Sequence, residues 1–154
     1  MNGQLLALIG AALATTLACI GSAKGVGISA QAAMGVLSED ASKFGKMMVL
    51  ALLPGTQGLY GFIVSFLILT KCVPGFGGSA DLTVVQGLLY LVASLPIAFG
   101  GMISAFLQGK AAVSGISLVA KDGDSFAKAM TQIALVEFYA LLSLIISLLA
   151  VLFI

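Results

Sequence analysis

A single carboxylate, Glu137, stands inside the apolar stretch Ala127–Ile154, whose only other charge is Lys128 near its start. On a helix rising ~1.5 Å per residue, it lies ~14 Å from Lys128 and ~25 Å from Ile154. That is deep in a bilayer whose hydrocarbon core is ~30 Å thick. An ionised carboxylate there costs roughly 2.5 kcal/mol or more. Such a group faces the protein interior, binds a cation or carries a proton, and is a functional candidate by default.

Three more polar groups come out at the same depth. Gln108 is about 10 residues from Leu118, Thr56 and Gln57 are about 11 to 12 residues from Gly45, and Glu137 is about 10 residues from its own polar break; at helical rise all lie ~15–18 Å in. Leu53, Thr56, Gln57 and Tyr60 are spaced i, i+3, i+4, i+7 and share a helix face. Pro54 removes a backbone donor, frees the Leu50 carbonyl and loosens the helix at that point. Hydroxyl, amide oxygens, a backbone carbonyl and one carboxylate form a hard-oxygen set suited to a hard cation. One carboxylate neutralises one monovalent charge, so Na⁺ fits better than Ca²⁺, which gathers more anionic ligands. Thr, Gln and Tyr also join membrane helices by hydrogen bonds alone; their shared depth with Glu137 favours a site. Lys24 and Lys110 are deep as well, and can snorkel, pair with lipid phosphate or line an enclosed interior.

These residues sit in a chain with a membrane composition. Of its 154 residues 60% are hydrophobic and 8% charged, against ~25% charged in soluble domains. Net charge is +1 and there is no Arg, His or Trp. Nucleic-acid partners, His-based catalysis and a transition-metal site are not implied, and no residue is assigned a catalytic role. Cys19 and Cys72 lie in different segments without metal-type spacing and read as unpaired thiols.

Four apolar segments, Leu5–Val36, Gly45–Thr70, Thr83–Leu118 and Phe126–Ile154, are expected to be transmembrane helices, because backbone polar groups in lipid must be satisfied internally. The polar breaks are Ser38–Lys43, Pro74–Asp81 and Lys121–Ser125, the second rich in turn formers. The first and third segments exceed 30 residues, ~48 Å or longer if straight, and should project beyond the bilayer. Lys43, Lys46, Lys121 and Lys128 flank the first and third breaks, whereas only Lys71 flanks the second. The positive-inside rule then places the first and third loops in the cytoplasm, and both termini and the middle loop outside. Met1–Ala18 is apolar, but no Lys or Arg precedes Lys24, so a retained first helix is expected rather than a signal peptide.

The chain repeats itself. An offset of 82 residues, as from Phe44 to Phe126, superposes the halves without a gap. Phe44-Gly45-Lys46-Met47-Met48 meets Phe126-Ala127-Lys128-Ala129-Met130, and Ser22, Gly27, Leu53, Ile63 and Ser65 meet identical residues. The expected architecture is an all-α membrane protein of four transmembrane helices in two fused hairpins, residues 1–75 and 76–154. An offset of two spans keeps the halves in parallel topology. Glu137 aligns with Gly55, so one hairpin lacks the carboxylate. The first and third helices are rich in Gly and Ala at one-turn spacing, such as Gly10, Ala14, Ala18 and Gly21, which suits close packing on the inside of a ring.

At these residues the chain resembles the membrane rotor proteolipid of V-type rotary ATPases, known as the K or c subunit. The resemblance covers the whole chain. The runs Leu53-Pro54-Gly55-Thr56-Gln57-Gly58-Leu59-Tyr60 and Leu135-Val136-Glu137-Phe138-Tyr139 are similar to those of sodium-pumping bacterial members. It implies that Na⁺ is held by the Leu53 carbonyl, Thr56, Gln57, Gln108 and Glu137, with Tyr60 hydrogen-bonded to the carboxylate. It also implies a ring of identical copies in a bacterial cell membrane, turned past a stator protein that bears a basic residue. Central-stalk subunits would grip the loops near 38–43 and 121–125, and the ring would contact membrane lipid. The chain contains no G-x-x-x-x-G-K-[ST] phosphate cradle, so hydrolysis is expected in a separate soluble head. The competing expectations are the same rotor carrying H⁺, a small cation or multidrug antiporter with a lone membrane Glu, and a purely structural tetraspan. An antiporter would offer an aromatic drug cavity, against 8% aromatics here; a structural role leaves Glu137 unexplained.

Overall fold

The computed structural model describes residues 2–154, and these contain helices and connecting turns but no strands. Helix α1 spans Gly3–Glu39, α2 Phe44–Leu52, α3 Thr56–Cys72, α4 Val84–Lys121 and α5 Phe126–Phe153. Helices α2 and α3 run on through one 3₁₀ turn, Leu53–Gly55, so four rods of 37, 32, 38 and 31 residues are long and apolar enough to cross a membrane. Their ends fall within a few residues of the expected spans. The outer two of the three breaks are tight because the preceding helix runs on to Glu39 or Lys121 and a 3₁₀ turn, Ala41–Lys43 or Gly123–Ser125, leads straight into the next helix.

Local chemistry accounts for the ends. The Asn2 side chain accepts from the Gln4 N–H at the start of α1. Thr83 and Gln86 form a reciprocal capping box at the start of α4. Asp40 and Asp122, repeat mates at the offset of 82, each cap a 3₁₀ turn: Asp40 accepts from the Ser42 N–H and hydroxyl, Asp122 from the Asp124 N–H and the Ser125 hydroxyl. The middle connection turns at Pro74–Phe76 and leaves through Gly77 at φ +89°, a left-handed conformation that favours glycine.

Helices α1 and α4 pack along their whole length as a central pair, with α3 against α1 and α5 against α4. A small-residue stripe on α1 makes this approach close. A Cβ at Gly10 would stand 2.8 Å from the Leu91 Cα, and one at Gly109 would stand 2.5 Å from the Gly25 Cα. Two apolar clusters fill the interior. One gathers Ala14, Val64, Ile97 and Val151, and the other Ala33, Leu50, Ile116 and Ile133. The buried polar residues Ser22, Ser29, Gln57, Ser104 and Gln108 fall between the two clusters.

The two loops carry a second tie. Lys43 Nζ donates to the Ala120 carbonyl at 2.8 Å, and Lys46 Nζ, in the first turn of α2, to the Gly123 carbonyl at 2.8 Å, so the start of the second rod holds the end of α4 and the turn after it.

Gly109→Val forces a side chain into the α1 backbone and should destabilise the protein by about 1–3 kcal/mol or more in thermal unfolding in detergent. Gly27→Ala, with nothing within 4 Å of the added Cβ, should be neutral or slightly stabilising. Hydrogen bonds from Ser42 and from Ser125 hold the Asp40 and Asp122 carboxyls below the ordinary value of 3.8. Their capping contribution is therefore complete above pH 3.8 and is lost as pH falls through the lowered values. Amide exchange in both turns, measured from pH 7 downward and corrected for intrinsic rates, should stay protected until pH drops below that point.

Candidate ion-binding site

The break at Pro54 is what shapes this region. The 3₁₀ turn brings the Thr56 N–H onto the Leu53 carbonyl, and Thr56 Oγ1 stands 3.0 Å from that same oxygen and 3.3 Å from Gln57 Oε1. One hydroxyl hydrogen serves one acceptor at a time, which leaves the other oxygen able to meet a different donor or a cation. Gln57 Nε2 donates to Gln108 Oε1 at 2.6 Å, and Gln108 Nε2 donates to the Ile133 carbonyl at 3.2 Å. Both glutamines are fully buried. A half-turn of either carboxamide exchanges its oxygen and nitrogen, so the pair can turn amide oxygens toward a cation.

Glu137 lies one turn beyond Ile133 on α5 and is half-buried. Tyr60 Oη donates to Glu137 Oε1 at 2.6 Å, joining α3 to α5. The residues singled out in the sequence thus form two hydrogen-bonded groups. Leu53, Thr56, Gln57 and Gln108 form one, Tyr60 and Glu137 the other. Among the described residues no hydrogen bond runs directly from Glu137 to either glutamine.

Protein charge does not neutralise this carboxylate. The one ion pair among the described residues joins Lys43 to Asp40 at 3.5 Å, in the loop. Lys24 and Lys110 point from exposed faces of α1 and α4, and Lys110 Nζ sits 4.4 Å from the Phe106 ring centroid. Nor do three His, Cys, Asp or Glu side chains cluster anywhere among the described residues. The donor set is therefore one carboxylate with neutral oxygens, whose chemistry suits a single positive charge.

Two supporting residues were not legible from spacing. Ser22 Oγ accepts from the Gly58 N–H at 2.8 Å, and Ser29 Oγ donates to the Ala51 carbonyl at 2.8 Å. Both reach from α1 to either side of the break and satisfy backbone groups there. Ser22 stands out in the sequence only as a repeat match to Ser104. The repeat mates of Glu137 and Gln108 are apolar. Gly55 replaces Glu137 and Val26 replaces Gln108, and a Cβ on Gly55 would meet Val26 Cγ2 at 3.5 Å. Both cysteines are free, Cys19 exposed and Cys72 buried.

The model of the ATP synthase C-subunit family matches residues 9–68 and again residues 91–150, two copies displaced by 82 residues. The chain belongs to that family. It is accordingly a membrane rotor proteolipid of four apolar helices, a non-hydrolytic part of its complex. It is 46% identical over 151 residues to the V-type sodium ATPase subunit K of Enterococcus hirae, an alignment covering 98% of this chain and 93% of that protein. It is 39% identical over 145 residues to the A-type ATP synthase subunit K of Methanocaldococcus jannaschii, covering 94% of this chain and 61% of that longer relative.

Replacing Gln57 alone by Leu strands a buried amide on Gln108 and should cost about 1–3 kcal/mol of stability. Replacing both Gln57 and Gln108 by Leu removes donor and acceptor together, and should cost less than the two single effects combined. Thermal unfolding of the four species in a double-mutant cycle measures the difference.

Proposed function

We propose that this chain is the ion-carrying rotor subunit of a V-type ATPase, and that its cargo is Na⁺ held at Glu137. The observation that carries the reading is a half-buried membrane carboxylate with no basic partner among the described residues, beside a cluster of neutral oxygens. The name of the Enterococcus relative, a sodium ATPase subunit, supports the choice of ion. The proposed ligands are one carboxylate oxygen of Glu137, the hydroxyl of Thr56, the amide oxygens of Gln57 and Gln108, and the Leu53 carbonyl. Tyr60 orients the carboxylate through its hydroxyl. The Thr56 hydroxyl would turn its hydrogen aside and offer a lone pair to the ion beside the Leu53 carbonyl and Gln57 Oε1, and Gln108 would turn its carboxamide oxygen to it.

In this reading the hairpins are residues 1–75 and 76–154, and identical copies close into a ring. Both termini lie outside, and the loops near 38–43 and 121–125 meet central-stalk subunits in the cytoplasm of a bacterial cell. ATP hydrolysis in a soluble head turns the ring. Between visits to the stator the loaded carboxylate passes lipid as a neutral pair, since an unpaired charge there is costly. At the stator a basic residue pairs with Glu137 and releases the ion. The family resemblance supplies this cycle; the chain's own residues supply the neutral ion–carboxylate pair.

Carbodiimide labelling of purified rings tests the cargo. Glu137 should be the sole carboxylate modified by a membrane-soluble carbodiimide, and the rate should fall as Na⁺ rises at fixed pH, because Na⁺ and the proton the reagent needs compete for one group. Thr56→Ala, Gln57→Ala and Gln108→Ala should each weaken that protection several-fold to about a hundredfold, the scale of one lost buried partner at ~1–3 kcal/mol. Glu137→Gln should abolish ion-coupled ATPase activity in the assembled complex. Labelling that ignores millimolar Na⁺ from pH 6 to 8 would make H⁺ the cargo and the Thr56–Gln57–Gln108 cluster a helix contact.

A further inference from the structure

Most of the oxygens assigned to the ion stand on one short stretch of backbone. Leu53, Thr56 and Gln57 supply three of the five, from the 3₁₀ turn Leu53–Gly55 and the first two residues of α3. The i→i−4 ladder that fixes a helix backbone is interrupted there, because Pro54 has no N–H for the Leu50 carbonyl. Whatever holds this stretch from outside therefore decides where its oxygens sit.

Helix α1 holds it at three points. On one side, Ser29 Oγ lies 2.8 Å from the Ala51 carbonyl, and 3.0 and 3.1 Å from the Gly25 and Val26 carbonyls of its own helix. Its one hydrogen serves one acceptor, and Ala51 is the nearest. On the other side, Ser22 Oγ accepts the Gly58 N–H at 2.8 Å, an N–H that a continuous α-helix directs to the Pro54 carbonyl. Between the two serines, Pro54 is seated against Gly25. A Cβ on Gly25 would stand 2.8 Å from the Pro54 Cβ and would also strike the Ala105 carbonyl oxygen. Ser22, Gly25 and Ser29 are spaced i, i+3, i+7 and share one face of α1, and all three are buried, as is Pro54. The face is a notch for the proline ring with a hydroxyl on either side.

The second hairpin serves as an internal control. Its outer helix α5 runs unbroken past the same point, with Val136 in place of Pro54. The notch is absent there too. Leu107 stands for Gly25 and Ala111 for Ser29. Ser104, the mate of Ser22, bonds the Gly101 carbonyl of its own helix instead of reaching across. The notch and the crossing hydroxyls thus accompany the broken backbone, and the broken backbone carries the oxygens.

We propose that Ser22, Gly25 and Ser29 are positioning residues of the ion site: they fix the spacing of the Leu53, Thr56 and Gln57 oxygens and thereby the size of cation that the site prefers. This rests on the reading of those oxygens as cation ligands and adds what sets their geometry. None of the three is itself a ligand; each acts through the backbone between Ala51 and Gly58. Preference among hard cations follows from cavity size, ligand number and rigidity. A stretch pinned on both sides neither opens for a larger ion nor closes on a smaller one. Released from α1 it adapts to either, so loss of a serine lowers discrimination as well as affinity. Groups that orient ligands in this way typically change metal affinity about 10–100-fold when removed.

The test uses full-length protein purified in its membrane assembly. Carbodiimide labelling of Glu137 at fixed pH gives the concentrations of Li⁺, Na⁺ and K⁺ that halve the rate. In the unaltered protein Na⁺ should protect at far lower concentration than K⁺. Ser29→Ala should raise the Na⁺ concentration about 10-fold or more and bring the Na⁺ and K⁺ values closer together. Ser29→Thr keeps the hydroxyl and should recover both the affinity and the ratio. Ser22→Ala should act in the same direction as Ser29→Ala, and supplies the reading if that variant does not assemble. Thermal unfolding and native mass are recorded alongside, because a purely structural role lowers the melting temperature and leaves the ratio between cations unmoved. That outcome in intact Ser22→Ala and Ser29→Ala assemblies would overturn the proposal. Labelling of the unaltered protein that ignores all three cations would instead sink the cation reading itself, and the proposal with it.

Discussion

The dominant constraint on this molecule is that a polar group in hydrocarbon must find a partner within the protein. The polar residues of its middle layer obey it. Ser22 receives the Gly58 N–H, Ser29 reaches the Ala51 carbonyl, Gln57 and Gln108 bond each other, and Gln108 continues to the Ile133 carbonyl. These bonds run between rods that lipid alone gives no reason to associate, since a helix surface of Leu is as well solvated by acyl chains as by another helix. The layer therefore sets the relative rotation of α1, α3, α4 and α5. Glu137 is the one member for which this network supplies a hydroxyl and no countercharge.

The Pro54 break belongs to the same constraint. A proline in mid-helix removes a backbone donor, and an unsatisfied carbonyl at membrane depth costs several kcal/mol. Here the chain tightens into a 3₁₀ turn, and serines from α1 satisfy backbone groups on both sides of it. The disturbed backbone lies beside Thr56 and Gln57, in line with the rule that irregular backbone in a membrane is kept where it is buried in protein. Small residues on α1 complete the arrangement. Without side chains at Gly21 and Gly25, α4 comes near enough for Gln108 to meet Gln57.

The two halves of the internal repeat differ at the membrane carboxylate. The halves share a fold because they share Gly, Ser and apolar positions at an offset of 82, yet Gly55 and Val26 stand where Glu137 and Gln108 stand in the other half. An intramembrane carboxylate without a hydroxyl and amides around it would be a cost with no compensation. Gly55 at the carboxylate's position is matched by Val26 at the amide's, which leaves an apolar contact there.

Much of this was legible in the residues alone. Long apolar runs bounded by Ser-Glu-Asp, Pro-Gly and Lys-Asp-Gly-Asp determine four helices, because nothing else satisfies a backbone in lipid. Residue counting puts Glu137, Gln108, Thr56 and Gln57 at one depth, because helical rise is constant. Rotation about each helix axis was not legible. A soluble helix advertises its inner face by alternating polar and apolar residues, but here the lipid face and the protein face are both apolar, so hydropathy carries no phase. For that reason Ser22, Ser29 and the Ile133 carbonyl carry no mark of their roles in the sequence, and spacing does not tell that Gln57 bonds Gln108 rather than Glu137. Depth follows from distance along the chain; which side chains meet at that depth follows from packing between helices, and only the tertiary structure decides it.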